Sequence, residues 1–348
     1  MRILITGGAG FIGCNAADAF LAEGHAVTVL DDLSRSGSES NLDWLRSRHP
    51  GLVFVHADVR DAQAVLECVR SAGPLDVVLH LAAQVAVTTS VTDPRLDFQV
   101  NALGTFNVLE AVRQAGGSPV VIYASTNKVY GGLEHLAVVE RDGRYAFADR
   151  PNGVSEEEPL DFHSPYGCSK GAADQYVRDY SRIYGMRTVV LRQSCIYGRR
   201  QFGMEDQGWV AWFVLAALSG KPITIYGDGR QVRDVLFVDD LIGAYRAAIA
   251  TPAAWGQVFN IGGGPAHTMA IWSEFGPILE RLIGHPIPVT YDDWRPGDQR
   301  IFVSDVSKAA RVLGWRPTTT REEGIRQLFE WASAERQRAL QSSGSLPG

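Results

Sequence analysis

A tyrosine and a lysine four residues apart have the types and spacing that proton transfer requires. The run is Tyr166-Gly-Cys-Ser-Lys170, and residues i and i+4 share one face of a helix. A free phenol has a pKa of about 10 and is a poor base at neutral pH. A neighbouring cation lowers that pKa. We therefore predict that Lys170, together with a positively charged hydride acceptor, lowers the pKa of Tyr166, which then accepts a proton from a substrate hydroxyl as a hydride leaves.

A glycine-rich run near the N-terminus predicts a loop that binds a dinucleotide. Thr6-Gly7-Gly8-Ala9-Gly10-Phe11-Ile12-Gly13 lies between a predicted strand and a predicted helix. Without Cβ atoms, its backbone amides can approach a pyrophosphate, whose charge the helix N-terminus favours. Asp31-Asp32 ends the next predicted strand, where a carboxylate binds a ribose diol and repels a 2′-phosphate. We predict NAD rather than NADP, although Arg35 nearby could accept that phosphate.

A parallel sheet is needed to position these groups. Over the first 125 residues, short apolar runs alternate with helical patterns. Such a pattern indicates a parallel sheet covered on both faces, and right-handed crossovers make it a doubly wound α/β sheet of the Rossmann type. We predict strands at 2–6, 26–30, 52–56, 77–81 and 120–124, and helices at 13–23, 61–71 and 104–115.

The second half of the chain predicts a smaller C-terminal α/β lobe that binds the substrate. Strands are predicted at 188–192, 223–226 and 258–261, and helices at 306–313 and from the capping box Thr320-Arg-Glu-Glu323 onward. Two long segments, 131–164 and 199–207, are predicted to lack regular structure and to carry function. The predicted division is a NAD-binding domain over 1–190 with a return segment at about 228–262, a substrate lobe over 191–227 and 263–340, and a flexible tail over 341–348. The cleft between the lobes is the expected ligand site.

Composition excludes several classes of protein. Apolar residues make up 45% and charged residues 21%, which excludes a largely disordered chain. The net charge of −6 disfavours binding to nucleic acid or to an anionic membrane surface. No apolar run reaches the roughly 18 residues of a membrane span, and the first residues lack the apolar region of a secretory signal. The four cysteines lack metal-site or disulfide spacing, so we expect reduced thiols, no metal and a cytoplasmic location.

These motifs together resemble the extended short-chain dehydrogenase/reductases that modify nucleotide sugars, over about residues 1–331. In that family a Ser or Thr completes the catalytic set, and the matching segment is Ser125-Thr-Asn-Lys-Val-Tyr-Gly131. The resemblance implies that Thr126 hydrogen-bonds the reacting sugar oxygen and that Asn101 helps to order the site. With the glycine loop, it assigns the NAD contacts to Gly7, Gly10, Phe11, Ile12, Gly13, Asp31, Asp32, Ser34, Arg35, Asp58, Val59, Leu81, Ala82, Ala83, Gln84, Asn101, Tyr166 and Lys170.

The residues after Thr126 separate two activities within the family. The dehydratases carry Thr-Asp-Glu where this chain has Thr126-Asn127-Lys128. An amide cannot donate an acidic proton and Lys128 replaces the base, so the resemblance implies epimerisation by hydride removal and return. Further runs resemble one subfamily, the CDP-paratose 2-epimerases, above all Asp161-Phe-His-Ser-Pro-Tyr-Gly-Cys-Ser-Lys-Gly-Ala-Ala-Asp-Gln-Tyr176. Gln193 and Cys195 depart from that subfamily's pattern.

The sugar of that subfamily implies direct oxidation at C2. Paratose is a 3,6-dideoxy sugar, so its C3 is a methylene. A ketone at C4 would acidify C3 and C5 but not C2. The simplest reversible route is hydride transfer from C2 to NAD, rotation of the 2-keto sugar, and hydride return to its other face. Because NAD is regenerated in each turnover, we expect it to be retained tightly.

The resemblance also implies a set of substrate contacts. Arg233 and Arg295 would grip the diphosphate, because planar guanidinium groups suit phosphate oxygens, and Asp298 would bind a ribose hydroxyl. Trp209 and Trp212 fit either a wall of the sugar or cytosine pocket or the core. The predicted substrate-binding residues are Val85, Thr126, Asn127, His163, Cys195, Gln207, Trp209, Arg233, Arg295 and Asp298.

Other functions stay open from the residues alone. CDP-glucose at C2 or a UDP-hexose at C4 could be the substrate, and Gln193, Cys195 and the pocket at 207–212 would decide between them. A catalytically inactive NAD-bound binding protein is the alternative of a different class, which the complete catalytic set disfavours. The helical stretches 104–115 and 166–184 carry apolar and aromatic stripes. In this family such a pair forms a four-helix dimer interface, so we expect a homodimer or homotetramer.

Overall fold

Seven parallel strands form the central sheet of the structure, a computed structural model that describes residues 1–295 and 298–343. The strands of the described residues are β1 (Arg2–Thr6), β2 (Ala26–Asp31), β3 (Val53–His56), β4 (Val77–His80), β5 (Val120–Thr126), β6 (Val138–Arg141), β7 (Arg144–Phe147), β8 (Arg187–Gln193), β9 (Cys195–Tyr197), β10 (Ile223–Tyr226), β11 (Val232–Phe237), β12 (Gln257–Ile261), β13 (Thr268–Ala270), β14 (Val289–Asp292) and β15 (Ile301–Phe302). The α-helices are α1 (Phe11–Ala22), α2 (Ser38–Arg48), α3 (Ala62–Ser71), α4 (Val87–Thr92), α5 (Pro94–Phe98), α6 (Gly104–Ala115), α7 (Ser164–Tyr184), α8 (Trp209–Leu218), α9 (Val238–Ala250), α10 (Phe275–Ile283), α11 (Ser307–Leu313) and α12 (Arg321–Ser343).

The strand order of the central sheet is β3-β2-β1-β4-β5-β8-β12, with every neighbouring pair parallel. Both faces are covered, because Ile3 and Ile5 pack in one apolar cluster with α1 and α9 while Leu4 packs in another with α3, α6 and α7. The order reverses between β1 and β4, which is the point where such sheets bind their ligands. The prediction of a Rossmann-type doubly wound α/β fold is confirmed.

A smaller set of strands lies beyond the sheet. Strand β11 pairs with β9, β13 and β15, and β10 pairs with β14. Strand β12 then returns to the central sheet beside β8. This path places the carboxyl ends of β5 and β8 next to the loops and strands of the second lobe.

The segment 131–164 differs from its prediction. Residues 131–164 were expected to lack regular structure, but they contain the antiparallel hairpin β6–β7. Its two-residue turn is Asp142-Gly143, with φ of 50° and 74°, as a type I′ turn requires at both positions. The Asp-Gly dipeptide was the available signal for this hairpin.

The C-terminal helix is longer than its prediction. Helix α12 continues to Ser343, into the segment predicted as a flexible tail, and residues 344–348 lie outside the described part of the chain. Within residues 1–295 and 298–343, no helix combines the length and apolar character needed to cross a membrane.

Candidate active site

The carboxyl end of β5 and the first turns of α7 bring the three predicted catalytic residues together. Thr126 is the last residue of β5, and Tyr166 and Lys170 lie one turn apart on α7; all three side chains are buried. The Thr126 hydroxyl donates a hydrogen bond to Asn127 Oδ1 at 3.3 Å and accepts one from the Lys128 amide at 3.2 Å. The backbone of the turn after β5 therefore holds the threonine hydroxyl in place.

Within the chain itself, burial outweighs the groups that would lower the pKa of Tyr166. Burial raises the pKa of Tyr166 to about 12, and a hydrogen bond with Thr126 opposes this shift without offsetting it. The Lys170 ammonium instead donates to the Ala124 carbonyl at 2.6 Å and lies 4.4 Å from the centre of the Tyr123 ring. Removal of the phenol proton at neutral pH therefore needs further positive charge beside Tyr166.

Burial also acts on the lysine. It lowers the pKa of Lys170 to about 7, while the Asp97 and Asp174 carboxylates oppose the shift. The folded protein therefore bears the free-energy cost of a buried ammonium at neutral and acidic pH.

We expect Lys170→Met to increase the free energy of unfolding by a few kcal/mol at pH 6, while it abolishes turnover. The folded pKa is about 7 and the unfolded pKa about 10.4, so between these values the unfolded state binds more protons and wild-type stability rises with pH. The advantage of the variant in chemical unfolding is thus largest below pH 7 and shrinks towards pH 10. Lys221→Met, at an exposed lysine, is the matched control. An advantage that did not change with pH would contradict the buried-ammonium explanation.

A buried polar network beside the catalytic helix was not predicted. The Asp97 carboxylate accepts hydrogen bonds from the Ser169 hydroxyl at 2.5 Å, the Asn101 amide at 3.0 Å and the Gln84 amide at 3.1 Å. Asn101 also exchanges two hydrogen bonds with the backbone of Gln84, at 2.9 and 3.0 Å. The network ties the loop after β4 to α7. The spacing of Asp97 and Asn101, four residues apart, was the available signal.

The loop after β1 fits the pyrophosphate of NAD. A Cβ on Gly7 would lie 2.6 Å from the Ala82 amide nitrogen, and one on Gly13 would collide with the carbonyl oxygen of Gly7. Both positions therefore require glycine. Gly10 is the N-cap of α1 and supplies no capping side chain, so the first-turn amides, which include those of Phe11 and Ile12, can bind an anion.

The aspartate that ends β2, Asp31, also holds the loop. The two carboxylate oxygens of Asp31 accept hydrogen bonds from the Ala9 and Leu33 amides, each at 2.9 Å, and burial raises its pKa. Each oxygen keeps a second lone pair for a ribose hydroxyl. Asp32 is exposed and accepts a hydrogen bond from the Ser34 hydroxyl at 2.7 Å. Asp31 is therefore the better placed of the two for the predicted ribose contact.

The remaining predicted NAD contacts follow β3 and β4. Asp58 accepts hydrogen bonds from the amide and the guanidinium of Arg60 at 2.8 and 2.7 Å. Val59 is buried beneath Gly104. The loop after β4 begins where the Leu81 amide donates to the Thr6 carbonyl at 3.0 Å. Its half-buried residues are Leu81, Ala82, Ala83, Gln84 and Val85.

Arg35 reaches across the cleft. Its guanidinium donates a hydrogen bond to Gln207 Oε1, and the Thr88 hydroxyl donates to the Asp206 carboxylate at 2.6 Å. Residues 206–207 therefore bridge to two segments of the NAD-binding half of the molecule. Arg35 was the residue whose charge could favour a 2′-phosphate. Its guanidinium is instead hydrogen-bonded to Gln207.

The residues predicted to bind the nucleotide form two small clusters. Arg233 donates a hydrogen bond to the Asp298 carboxylate at 2.6 Å, although the two were assigned to phosphate and ribose. Arg295 stacks 3.9 Å from the centre of the Tyr226 ring and donates to the Glu205 carbonyl at 3.3 Å. Both guanidinium groups keep donors for phosphate oxygens, because each carries five N–H groups.

Three other predicted substrate residues lie in different settings. His163 is exposed at the N-cap of α7 and makes no capping hydrogen bond. Trp209 packs edge-on against Phe213 and Phe275, with ring centres 5.8 and 5.5 Å apart, which favours the core alternative for this ring. Cys195 is half-buried at the start of β9, and burial raises its pKa.

Known proteins share this fold and sequence over nearly the whole chain. Residues 3–262 match the NAD dependent epimerase/dehydratase family. The chain is 45% identical over 340 residues to CDP-paratose 2-epimerase of Salmonella typhi, which covers 96% of this chain and 100% of that relative. Two solved structures are also similar. The structure of UDP-glucose 4-epimerase of Thermotoga maritima with UDP-glucose has a TM-score of 0.83 to this chain and 32% sequence identity. The similarity covers 98% of this chain and 100% of the Thermotoga maritima chain. The structure of UDP-glucose 4-epimerase of Thermus thermophilus with NAD has a TM-score of 0.81 to this chain and 34% sequence identity. The similarity covers 95% of this chain and 99% of the Thermus thermophilus chain.

These similarities agree with the glycine loop at the end of β1 and with the set formed by Thr126, Tyr166 and Lys170. They confirm three predictions. The chain is a relative of the extended short-chain dehydrogenase/reductases, it is an NAD-dependent nucleotide-sugar epimerase, and its cofactor is NAD. The chain belongs to the NAD dependent epimerase/dehydratase family.

Proposed function

We propose that this protein inverts C2 of a CDP-sugar and converts CDP-paratose to CDP-tyvelose. One observation carries the proposal: the catalytic set is complete, while Asn127 and Lys128 cannot serve as the carboxylate pair of a dehydration. The 45% identity to a CDP-paratose 2-epimerase over 96% of the chain supports the choice of nucleotide and carbon.

The glycine loop and Asp31 would hold NAD, which would supply the hydride acceptor for C2 and the hydride donor for the opposite face of the sugar. The chain's own residues control the proton. Tyr166 takes the proton of the C2 hydroxyl and later returns it, and the Thr126 hydroxyl hydrogen-bonds the same oxygen. The Lys170 ammonium contributes positive charge that favours the phenolate. Burial of these three side chains keeps bulk water from the reacting oxygen.

The substrate lobe holds the nucleotide while the keto sugar turns. Arg233 and Arg295 bind the diphosphate, and Asp298 binds the ribose. These contacts hold the diphosphate and the ribose but leave the sugar ring free to rotate about the bonds that join it to the phosphate. The rotation turns the other face of the sugar towards the cofactor. We also propose that the residues predicted from the sequence to contact NAD do so, and that the chain divides into the predicted NAD-binding domain and substrate lobe.

Proton NMR of the purified protein, without added cofactor, tests this proposal. The protein is incubated separately with CDP-paratose, CDP-glucose and UDP-glucose. We expect a 2-epimer from a CDP-sugar, which would show both C2 chemistry and retained NAD, and the relative rates rank the two CDP-sugars. A 4-epimer from UDP-glucose would favour the second candidate, a UDP-hexose 4-epimerase, which the two similar solved structures support. No product from any sugar, even with NAD added, would contradict both.

We also propose that two copies of the chain associate through α6 and α7. Exposed apolar and aromatic side chains lie on these helices and just before them: Phe98, Leu103, Phe106, Tyr176, Ile183 and Tyr184. Pairing of the same face in two copies would bury them in a four-helix arrangement. Light scattering on the purified protein would give the molar mass of a dimer or a tetramer, and a monomer would contradict the proposal.

A further inference from the structure

Lys128 places a positive charge beside Thr126, the proposed catalytic threonine. The proposed proton transfer does not use this lysine. It lies in the 3-10 turn Asn127–Tyr130 that follows β5. Its amide donates to Thr126 Oγ1 at 3.2 Å, and its carbonyl accepts from the Gly131 amide at 3.2 Å. The backbone is therefore held on both sides of the residue, and its side chain starts next to the reacting site.

The groups around the ammonium belong to the substrate side of the cleft. Burial lowers the pKa of Lys128, the positive charge of Arg233 lowers it further, and the negative charge of Asp298 opposes both. Arg233 and Asp298 are already joined at 2.6 Å. Among the described residues, the groups that act on the ammonium do so through charge without a hydrogen bond.

This arrangement leaves one positive charge in excess. Arg233 and Asp298 neutralise each other, so among the described charged groups that act on Lys128 none is an anion free to pair with its ammonium. A partly buried ammonium is unfavourable unless an anion pairs with it. The site therefore fits an anionic group of the substrate better than a neutral hydroxyl.

The covalent structure of a nucleotide sugar determines where its anion can lie. The β-phosphate is attached through an oxygen to C1, so C2 and its hydroxyl are adjacent to the carbon that carries the phosphate. C4 is on the opposite side of the ring. An enzyme that binds the C2 oxygen at Thr126 must hold the β-phosphate close to Thr126, whereas one that acts on C4 must hold it a ring's width away.

We propose that Lys128 binds the β-phosphate of the CDP-sugar and thereby places C2, rather than C4, against Thr126 and Tyr166. This inference rests on the proposed function and adds a residue that determines the reacting carbon. The cation two residues beyond the catalytic threonine and the cluster at Arg233 then hold the phosphate on the C2 side of the ring.

Calorimetric titration of the NAD-containing protein with CDP, CMP and cytidine tests the contact, because only CDP carries a β-phosphate. We expect Lys128→Met to weaken CDP binding by about ten- to a hundredfold, as loss of a charged hydrogen bond would, and to leave CMP and cytidine binding unchanged. Lys128→Arg should restore most of the CDP affinity. Lys221→Met, at an exposed lysine, is the control. Equal losses for CDP and CMP, or no loss for either, would overturn the proposal.

The reaction itself separates this inference from the proposed function. In a wild-type protein that epimerises C2, Lys128→Met should raise KM and lower kcat, with NAD content unchanged and a melting temperature at least as high as that of the wild type. If the wild-type protein epimerises C2 and Lys128→Met binds all three ligands normally, only the role of Lys128 fails. If Lys128→Met selectively loses CDP binding but the wild-type protein does not act at C2, the phosphate contact stands and the selection of C2 fails together with the proposed function.

Discussion

Tyr166→Phe is expected to slow epimerisation by about 10²–10⁴-fold while NAD stays bound. The substitution removes only the phenol oxygen, which is the proton acceptor in the proposed reaction. Tyr166 is buried, and the ring that remains keeps its packing on α7. The rate is measured by proton NMR with the CDP-sugar that wild-type protein converts, and NAD content by its absorbance after release from the denatured variant.

Tyr291→Phe is the matched control for this experiment. It makes the same change at an exposed position on β14, so the rate should equal that of the wild-type protein. If Tyr166→Phe kept a rate within about threefold of wild type, a different group would accept the proton, and the assignment of the base would be wrong. Loss of NAD together with activity would indicate a structural defect in place of a catalytic one.

Arg192→Met is expected to lower the free energy of unfolding by about 3–5 kcal/mol. Arg192 binds the Asp174 carboxylate through two nitrogens, at 2.9 and 3.0 Å, and both side chains are almost fully buried. The Ser125 hydroxyl also donates to this carboxylate, at 2.8 Å. Without the guanidinium, a negative charge stays buried between β5, β8 and α7, with hydrogen bonds only from neutral groups, the Ser125 hydroxyl and the Gln175 amide. Urea unfolding at pH 7 measures the change.

The double variant Arg192→Met/Asp174→Leu distinguishes loss of the pair from loss of packing. Because removal of both charges leaves no buried ion, the double variant should recover much of the stability that the single variant loses. Arg326→Met provides a control, since Arg326 is exposed and its ion pairs lie on the surface of α12; solvent screens these pairs, so the effect should be small. A loss of that small size for Arg192→Met would show that the buried pair contributes little.

Local sequence patterns were enough to predict the central sheet and most of the strands that carry the site. Short segments rich in apolar residues correspond to β1, β2, β3, β4, β5, β8 and β12, which are four to seven residues long, because strands of a sheet covered on both faces are rich in apolar residues. Helix α8 was missed for a related reason. Its sequence Trp-Val-Ala-Trp-Phe-Val-Leu-Ala-Ala-Leu is apolar on all sides, so it lacks the periodicity that distinguishes a helix from a strand.

Residues close in sequence were also enough to predict the candidate site. The glycine loop and the Tyr166–Lys170 pair depend on contacts over a few residues, and turn and helix geometry alone places their groups together. The ionisation state of those groups does not follow from spacing. The pKa of Tyr166 is raised because α7 packs against β5 and removes the phenol from water, which is a property of the packed structure.

The sequence by itself therefore determined the fold class and the cofactor, and it predicted which groups form the candidate site. Only the tertiary structure decided which partners those groups have. Lys170 donates to the carbonyl of Ala124, and Arg35 to Gln207, 172 residues further along the chain. Such pairs depend on how sheet, helices and loops pack, because the free energies of burial and long-range hydrogen bonding arise only when distant segments meet.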